Sequence, residues 1–197
     1  MTVFNDRTSA LSLLLTRRSA KARDLAGPGP SEAELRQILT AAARVPDHGK
    51  LAPWRFVIIP QEQRDAFGES LVASLKAEKP EASEVEVEAQ RQFARQAPTM
   101  IAVLSRVKQD IPIPAWEQEL SAGAACQNML LAAHALGYHA NWLTTWPAYS
   151  EKVVALLGGE PGDRIAGFIF IGTGTRPDEE RPRPNLDAIT TLWSPRG

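Results

Sequence analysis

The chain has 197 residues, 44% hydrophobic and 23% charged, with 22 basic against 23 acidic side chains and a net charge of −1. This composition supports one soluble folded domain over 1–197, and so even a charge balance gives no long-range pull toward nucleic acid or an anionic membrane. One cysteine, Cys126, excludes an internal disulfide. The three histidines (His48, His134, His139) carry no zinc spacing, no apolar run nears the ~20 residues of a membrane span, and the run 11–15 precedes its arginine pair, the wrong order for a secretory signal. A cytoplasmic protein with no metal, membrane or nucleic-acid partner is therefore expected.

Along the chain, residues 8–18 read as a helix capped by Thr8 or Ser9 and closed by two arginines. After the G-P-G-P loop at 27–30, Ser31 and Glu34 form a capping box. Leu35, Ile38, Leu39 and Ala42 then recur at helical spacing, which predicts a helix over 32–44 that Pro46 ends. A strand is predicted at 55–60, then helices at 61–77 and 82–96, with an acidic solvated face from Glu78 to Glu88. Further strands are expected at 99–105, 139–144 and 164–174. The longest apolar helix lies at 116–136 and is ended by Gly137, and a short helix lies at 150–157. The proline-rich tail should run extended over a surface. Four strands among these helices imply an α+β or α/β three-layer domain.

Three constellations carry chemical meaning. Arg17-Arg18-Ser19 reads either as a multi-donor cradle for a phosphate dianion or as a solvated helix end. The loop Pro46–Trp54, stiffened by two prolines, either presses Arg44, His48 and Trp54 against a flat ring or buries Trp54 as core. Gly172-Thr173-Gly174-Thr175, followed by Arg181 and Arg183, offers glycine-rich amides that can cup a phosphate. No dinucleotide fingerprint or Walker sequence accompanies it. Ser121 and Cys126 lie in an apolar helix with no histidine nearby in sequence and read as structural. No triad order is present.

Seven motifs in order over roughly 8–193 resemble the nitroreductase family, in its compact FMN-binding branch. They are R-R-S (17–19), P-x-P-S/T before the second helix, A-A-x-R-x-P-D-H (41–48), P-W-x-F (53–56), W-E-Q-E-x-S-A-G (116–123), L-G-Y…W-L-T (136–144) and G-F-I-F-I-G-T (167–173). The resemblance implies an α+β, three-layer α/β/α sandwich with a mixed, mainly antiparallel sheet. It also implies a homodimer with FMN at the subunit interface and NADH or NADPH as electron donor. By position, Arg17, Arg18 and Ser19 match the flavin-holding segment, and Arg44 and His48 match positions that reach FMN from the partner subunit. Trp142, Leu143 and Thr144 match the stretch along the flavin, and Arg183, with Arg181, the basic tail group. Ala132, Ala133, His134, Ala135, Leu136 and Gly137 match a helix end facing the nicotinamide. Larger members carry serine and asparagine before P-W and glutamine before the proline; here the stretch is D-H-G-K-L-A, which fits the compact branch. No catalytic side chain is expected, because the flavin carries the chemistry; Arg18 is the candidate cation for the N1–O2 edge of the reduced ring. The resemblance implies hydride transfer from NAD(P)H through flavin N5 to a nitroaromatic, quinone or similar small-molecule acceptor, in a ping-pong cycle. A dehydrogenase or reductive de-substituting enzyme of the same fold, or a flavin-binding protein with little turnover, are the alternatives.

Overall fold

A computed structural model describes residues 3–195. The order is α1 (Ala10–Thr16), β1 (Leu25–Ala26), α2 (Glu32–Ala42), β2 (Trp54–Ile59), α3 (Arg64–Glu78), α4 (Glu84–Arg95), β3 (Thr99–Ser105), α5 (Ala115–Ala135), β4 (His139–Leu143), α6 (Glu151–Leu156), β5 (Arg164–Gly174) and α7 (Leu186–Ile189). The sheet runs β1-β5-β3-β2, with β4 also paired to β5, and each of these ladders is antiparallel. The two-residue β1, against Thr173 and Gly174, is a fifth strand that the sequence does not announce.

Period-two alternation in the central strands creates the layers. Met100, Ala102 and Leu104 of β3 and Phe168 and Phe170 of β5 share one core with Leu71 of α3, Phe93 of α4 and Val153 of α6. Ile101, Val103, Ile169 and Ile171 point the other way, into a core with Ile38 of α2 and Met129 and Ala133 of α5. The result is α3, α4 and α6 on one face and α2 and α5 on the other: the expected three-layer, mainly antiparallel α+β architecture. The Phe93 ring meets Phe168 and Phe170 edge-on, at centroid distances of 5.1 and 5.3 Å. Each such pair adds roughly 1 kcal/mol beyond the area it buries.

Local signals set the helix boundaries. Ser9 caps α1 by accepting from Ser12 N–H at 3.0 Å, and Ser31–Glu34 closes a capping box on α2. A second box, Ser83–Glu86, starts α4. α1 stops before its arginines: Arg17 is already extended, at φ −54 and ψ 126. Residues Gln61–Gln63 form a separate 3-10 turn, so α3 starts later than its periodicity suggests. The buried Arg64 guanidinium gathers α3, α4 and the strand ends by donating to the carbonyls of Ile59, Ala94, Gln96 and Pro98.

His134, near the end of α5, is fully buried. Its Nδ1 lies 3.0 Å from the Tyr138 carbonyl and donates to it, while Nε2 has no partner among the described residues. Burial pushes the imidazole down to about 4, with smaller effects from the Tyr138 carbonyl, Arg17, His139 and Asp178. A folded value below the unfolded one means that the unfolded chain takes up the proton first. Stability is then lost as pH falls from about 6.5 toward 4, by up to about 3 kcal/mol from this group. His134→Asn retains an N–H donor but does not titrate. Its melting temperature should fall less steeply between pH 7 and 4.5 than that of the parent chain, and parallel curves would exclude His134 as the cause.

Candidate functional site

The segment after α1 is held by three neighbours. Asn5 brackets the Arg18 peptide, Arg183 Nη2 donates to the Arg17 carbonyl at 3.3 Å, and Asn141 of β4 donates to the Ala20 carbonyl. These contacts bring Arg17, Arg18 and Ser19 beside β4 and beneath the tail. Arg17 Nη1 donates to Ser19 Oγ at 3.0 Å, and no carboxylate pairs with Arg17 among the described residues. Burial, then the like charges of Arg183 and Arg18, hold its guanidinium below the ordinary arginine range. A partly buried cation cluster of this kind is short of an anion. Arg18 plays a further part: its Nε and Nη1 donate to the carbonyls of Glu179 and Ser19, tying the tail to the cradle. Arg183 pairs with Glu180 as well, whereas Arg181 is exposed and only its backbone N–H is engaged, by Glu180.

The glycine-rich stretch does not form a cup. Gly172, Thr173 and Gly174 lie inside β5, opposite His139, Ala26 and Leu25. Gly174 N–H is directed to His139 Nδ1 and Thr175 N–H to the Asp24 carbonyl. The sheet has thus consumed the amides that would have faced a phosphate.

A second group forms at the other end of α5. His48 Nδ1 lies 2.7 Å from Glu117 Oε2, a contact between two exposed side chains. Polar residues of α5 hold the preceding loop: Ser121 Oγ donates to the Pro46 carbonyl at 2.6 Å, and Asn128 Nδ2 donates to the carbonyls of Ala41 and Arg44. Asp47 then accepts from the N–H groups of Leu51 and Ala52. This helps offset the left-handed backbone of Lys50 (φ 55) and Ala52 (φ 46), which costs of order 1 kcal/mol per residue. Arg44 and His48 are both exposed on this rigid loop. Trp54 is partly buried against the core, so of the three only Arg44 and His48 are exposed.

Trp142, Leu143 and Thr144 close β4. The indole Nε1 of Trp142 donates to the Ala166 carbonyl at 3.0 Å, and its ring occupies the space a β-carbon on Gly167 would take. Leu143 packs partly into the core and Thr144 is exposed. Of residues 132–137, Ala133 and His134 have fully buried side chains, which removes them from any ligand-facing set. Ala132, Ala135, Leu136 and Gly137 reach the surface. Ser121 and Cys126 are structural, as expected: burial pushes the Cys126 thiol up to about 12, far from a reactive thiolate.

The two groups are well separated. Glu117, beside His48, is in the first turn of α5, and His134, beside the Arg17 cluster, is in its last. Seventeen residues at 1.5 Å rise set them roughly 25 Å apart. The side chains that join each group, Glu117 to His48 and Asn5 to Arg18, escape a reading of the sequence. Glu117 stood inside a quoted motif, but nothing local signals its partner 69 residues away.

Comparison with known proteins places this architecture. The "Nitroreductase family" model matches residues 14–173. A relative from Escherichia coli (strain K12), "Putative NAD(P)H nitroreductase YdjA", is 36% identical over 186 residues, covering 94% of each chain. A nitroreductase-like family protein from Bacillus cereus superposes with a TM-score of 0.76 at 21% identity, over 98% of each chain. A "putative nitroreductase in complex with fmn" from Desulfovibrio desulfuricans gives 0.70 at 25% identity, covering 95% of this chain and 98% of that one. With the family model spanning most of its length and a relative this similar end to end, the chain belongs to the nitroreductase family.

Proposed function

We propose that this protein is an FMN-dependent NAD(P)H oxidoreductase, a single cytoplasmic domain over 1–197 that works as a homodimer. One observation carries the reading: a partly buried cluster of Arg17, Arg18 and Arg183 in which Arg17 lacks a carboxylate. Planar guanidiniums beside the Ser19 hydroxyl suit a phosphate dianion; the Escherichia coli relative carries the name "Putative NAD(P)H nitroreductase", and the Desulfovibrio desulfuricans structure is a complex with FMN. When bound, the flavin supplies a ring that takes hydride from NADH or NADPH and passes electrons to a nitroaromatic, quinone or similar acceptor.

The chain's own residues bind and orient. Arg17, Ser19 and Arg183 hold the phosphate end, with Arg181 close in sequence as a secondary cation. Arg18 has Nη2 free of protein partners among the described residues and offers positive charge to the reduced ring. Trp142, Leu143 and Thr144 lie along the ring, with Trp142 fixed from behind by Ala166. Ala132, Ala135, Leu136 and Gly137 are the remaining candidates for the nicotinamide side.

Distance along α5 supports a second copy. With about 25 Å between the arginine cluster and His48 along α5, one mononucleotide held by Arg17 is out of reach of His48 in the same chain. His48 is therefore assigned to the partner's flavin on distance, and Arg44, whose carbonyl meets Asn128 nearer the cluster, is assigned there on the family resemblance alone. Exposed apolar side chains supply a surface for that partner, including Leu11, Leu14 and Leu15 of α1, Trp116 of α5 and Trp193 of the tail.

Two measurements test this. The purified protein, loaded with FMN, should lose its flavin absorbance on anaerobic addition of NADH or NADPH and regain it with a nitroaromatic. Protein that stays colourless with excess FMN would refute the flavin reading, and bound flavin that is never reduced would favour a binding protein with little turnover. Arg17→Ala should weaken FMN binding by ~2 kcal/mol or more, and His48→Ala should weaken it without lowering the apo melting temperature. Co-expressing the two variants should restore about a quarter of the sites, because a mixed dimer carries both substitutions in one site and neither in the other. No recovery in mixed dimers would place both residues in a single-chain site.

A further inference from the structure

One set of contacts near the cradle has no part in gripping a ligand. Asn5 Oδ1 accepts from Arg18 N–H at 2.9 Å, while Nδ2 donates to the Arg18 carbonyl at 3.2 Å and to Asp178 Oδ2 at 3.1 Å. The same Asp178 oxygen lies 3.2 Å from His139 Nε2. His139 Nδ1 accepts from Gly174 N–H at 3.3 Å, so its proton is on Nε2 and is donated to Asp178. A β-carbon on Gly174 would come within 2.9 Å of that ring nitrogen, so only glycine gives the ring this approach. The contacts form an unbroken line from the peptide of Arg18, through Asn5, Asp178 and His139, to the end of β5. Asp178 is nearly buried, with a side-chain exposure of 10%.

The placement of Asn5 is itself constrained. Its backbone is left-handed, at φ 51, a region asparagine tolerates better than most residues. Its N–H donates to the Thr16 carbonyl at 3.1 Å, and the next N–H, of Asp6, donates to Thr16 Oγ1 at 2.9 Å. The N-terminal segment is thus fastened to the end of α1 before the carboxamide reaches Arg18.

We propose that Asn5, Asp178 and His139 are positioning residues that clamp the main chain of Arg17 and Arg18 against the tail and so preorganise the phosphate cradle. This rests on the FMN reading above. Three guanidiniums without a bound anion repel one another, and the segment that carries two of them is extended backbone, free to swing aside. The clamp takes the N–H and C=O of Arg18 and secures them to the end of β5, the strand that pairs with β1, β3 and β4. The ordering cost is then met in the apo fold rather than at binding, which strengthens the affinity for phosphate. Of the two arginines it holds, Arg17 is assigned to the phosphate and Arg18 to the reduced ring, so with oxidised flavin its effect should fall on the phosphate end.

The test compares FMN with riboflavin, which lacks the phosphate, by flavin-fluorescence titration of the full chain. Asn5→Gly retains the left-handed backbone and deletes the carboxamide, and Asp178→Ala removes the shared acceptor. Both should raise the Kd for FMN about tenfold, the loss of one or two hydrogen bonds' worth of orientation, and leave that for riboflavin unchanged. Asp178→Asn should behave like the parent chain, because one amide oxygen can accept from both Asn5 and His139. Equal losses for the two ligands, unchanged FMN affinity in Asn5→Gly, or Asp178→Asn as weak as Asp178→Ala would each overturn the clamp. Arg17→Ala is the control: if it leaves the FMN-to-riboflavin ratio intact, the phosphate reading fails and the clamp with it. If that ratio collapses while Asn5→Gly is silent, only the clamp fails. Apo melting curves establish that each variant is folded.

Discussion

Helix α5 must bury one side against the sheet and another against α2, and the rest of the molecule accommodates that demand. Its buried Cys126, Met129, Leu130 and Ala133 contribute to the core formed with Ile101, Val103, Ile169 and Ile171. A helix locked in this way is a ruler of fixed length. Its first turns hold Pro46 and His48 through Ser121 and Glu117, and Asn128, past its midpoint, holds the Arg44 carbonyl. Its last turn backs the arginine cluster through His134, close to Arg17 and His139. The separation of the two groups is therefore a property of core packing, not of flexible side chains.

The polar contacts around the cluster obey a different economy. A buried or half-buried polar group left unmatched costs about 1 kcal/mol or more, and here four backbone groups of residues 17–20 find partners in distant segments. Arg18 is met by Asn5, Ala20 by Asn141 and Arg17 by Arg183. What is left without a carboxylate among the described residues is Arg17, half-buried beside Arg18 and Arg183, whereas Arg183 pairs with Glu180.

What the sequence reveals depends on how far apart the interacting residues are. The Ser31–Glu34 box, the strand at Thr99–Ser105 and the strand at Arg164–Gly174 are legible because three-residue spacing or a continuous apolar run specifies them. The helix at 82–96 is legible too, but its Ser83–Glu86 box, of the same spacing, is masked by the acidic residues around it. β1 is too short to show any period. The G-T-G-T stretch resembles a loop because glycine is a loop residue, but these glycines sit within a strand where Pro98 and the His139 ring press against the backbone. The candidate site was legible as a list of residues but not as an arrangement. Asn5 and Asp178 are 173 positions apart and His48 and Glu117 are 69, and no local pattern encodes such pairs. The burial of Ala133 and His134 was hidden likewise, since an Ala-rich helix end looks alike on every side.

Cys126 bears on how the molecule can be studied. It is the chain's only thiol, enclosed in the α5 core and shifted far toward the protonated form. Maleimides and other sulfhydryl reagents consequently find nothing to attack on the native surface. A cysteine introduced on an exposed loop or on the tail would be the sole addressable handle, so spin labels or dye pairs could be attached without first removing a native residue.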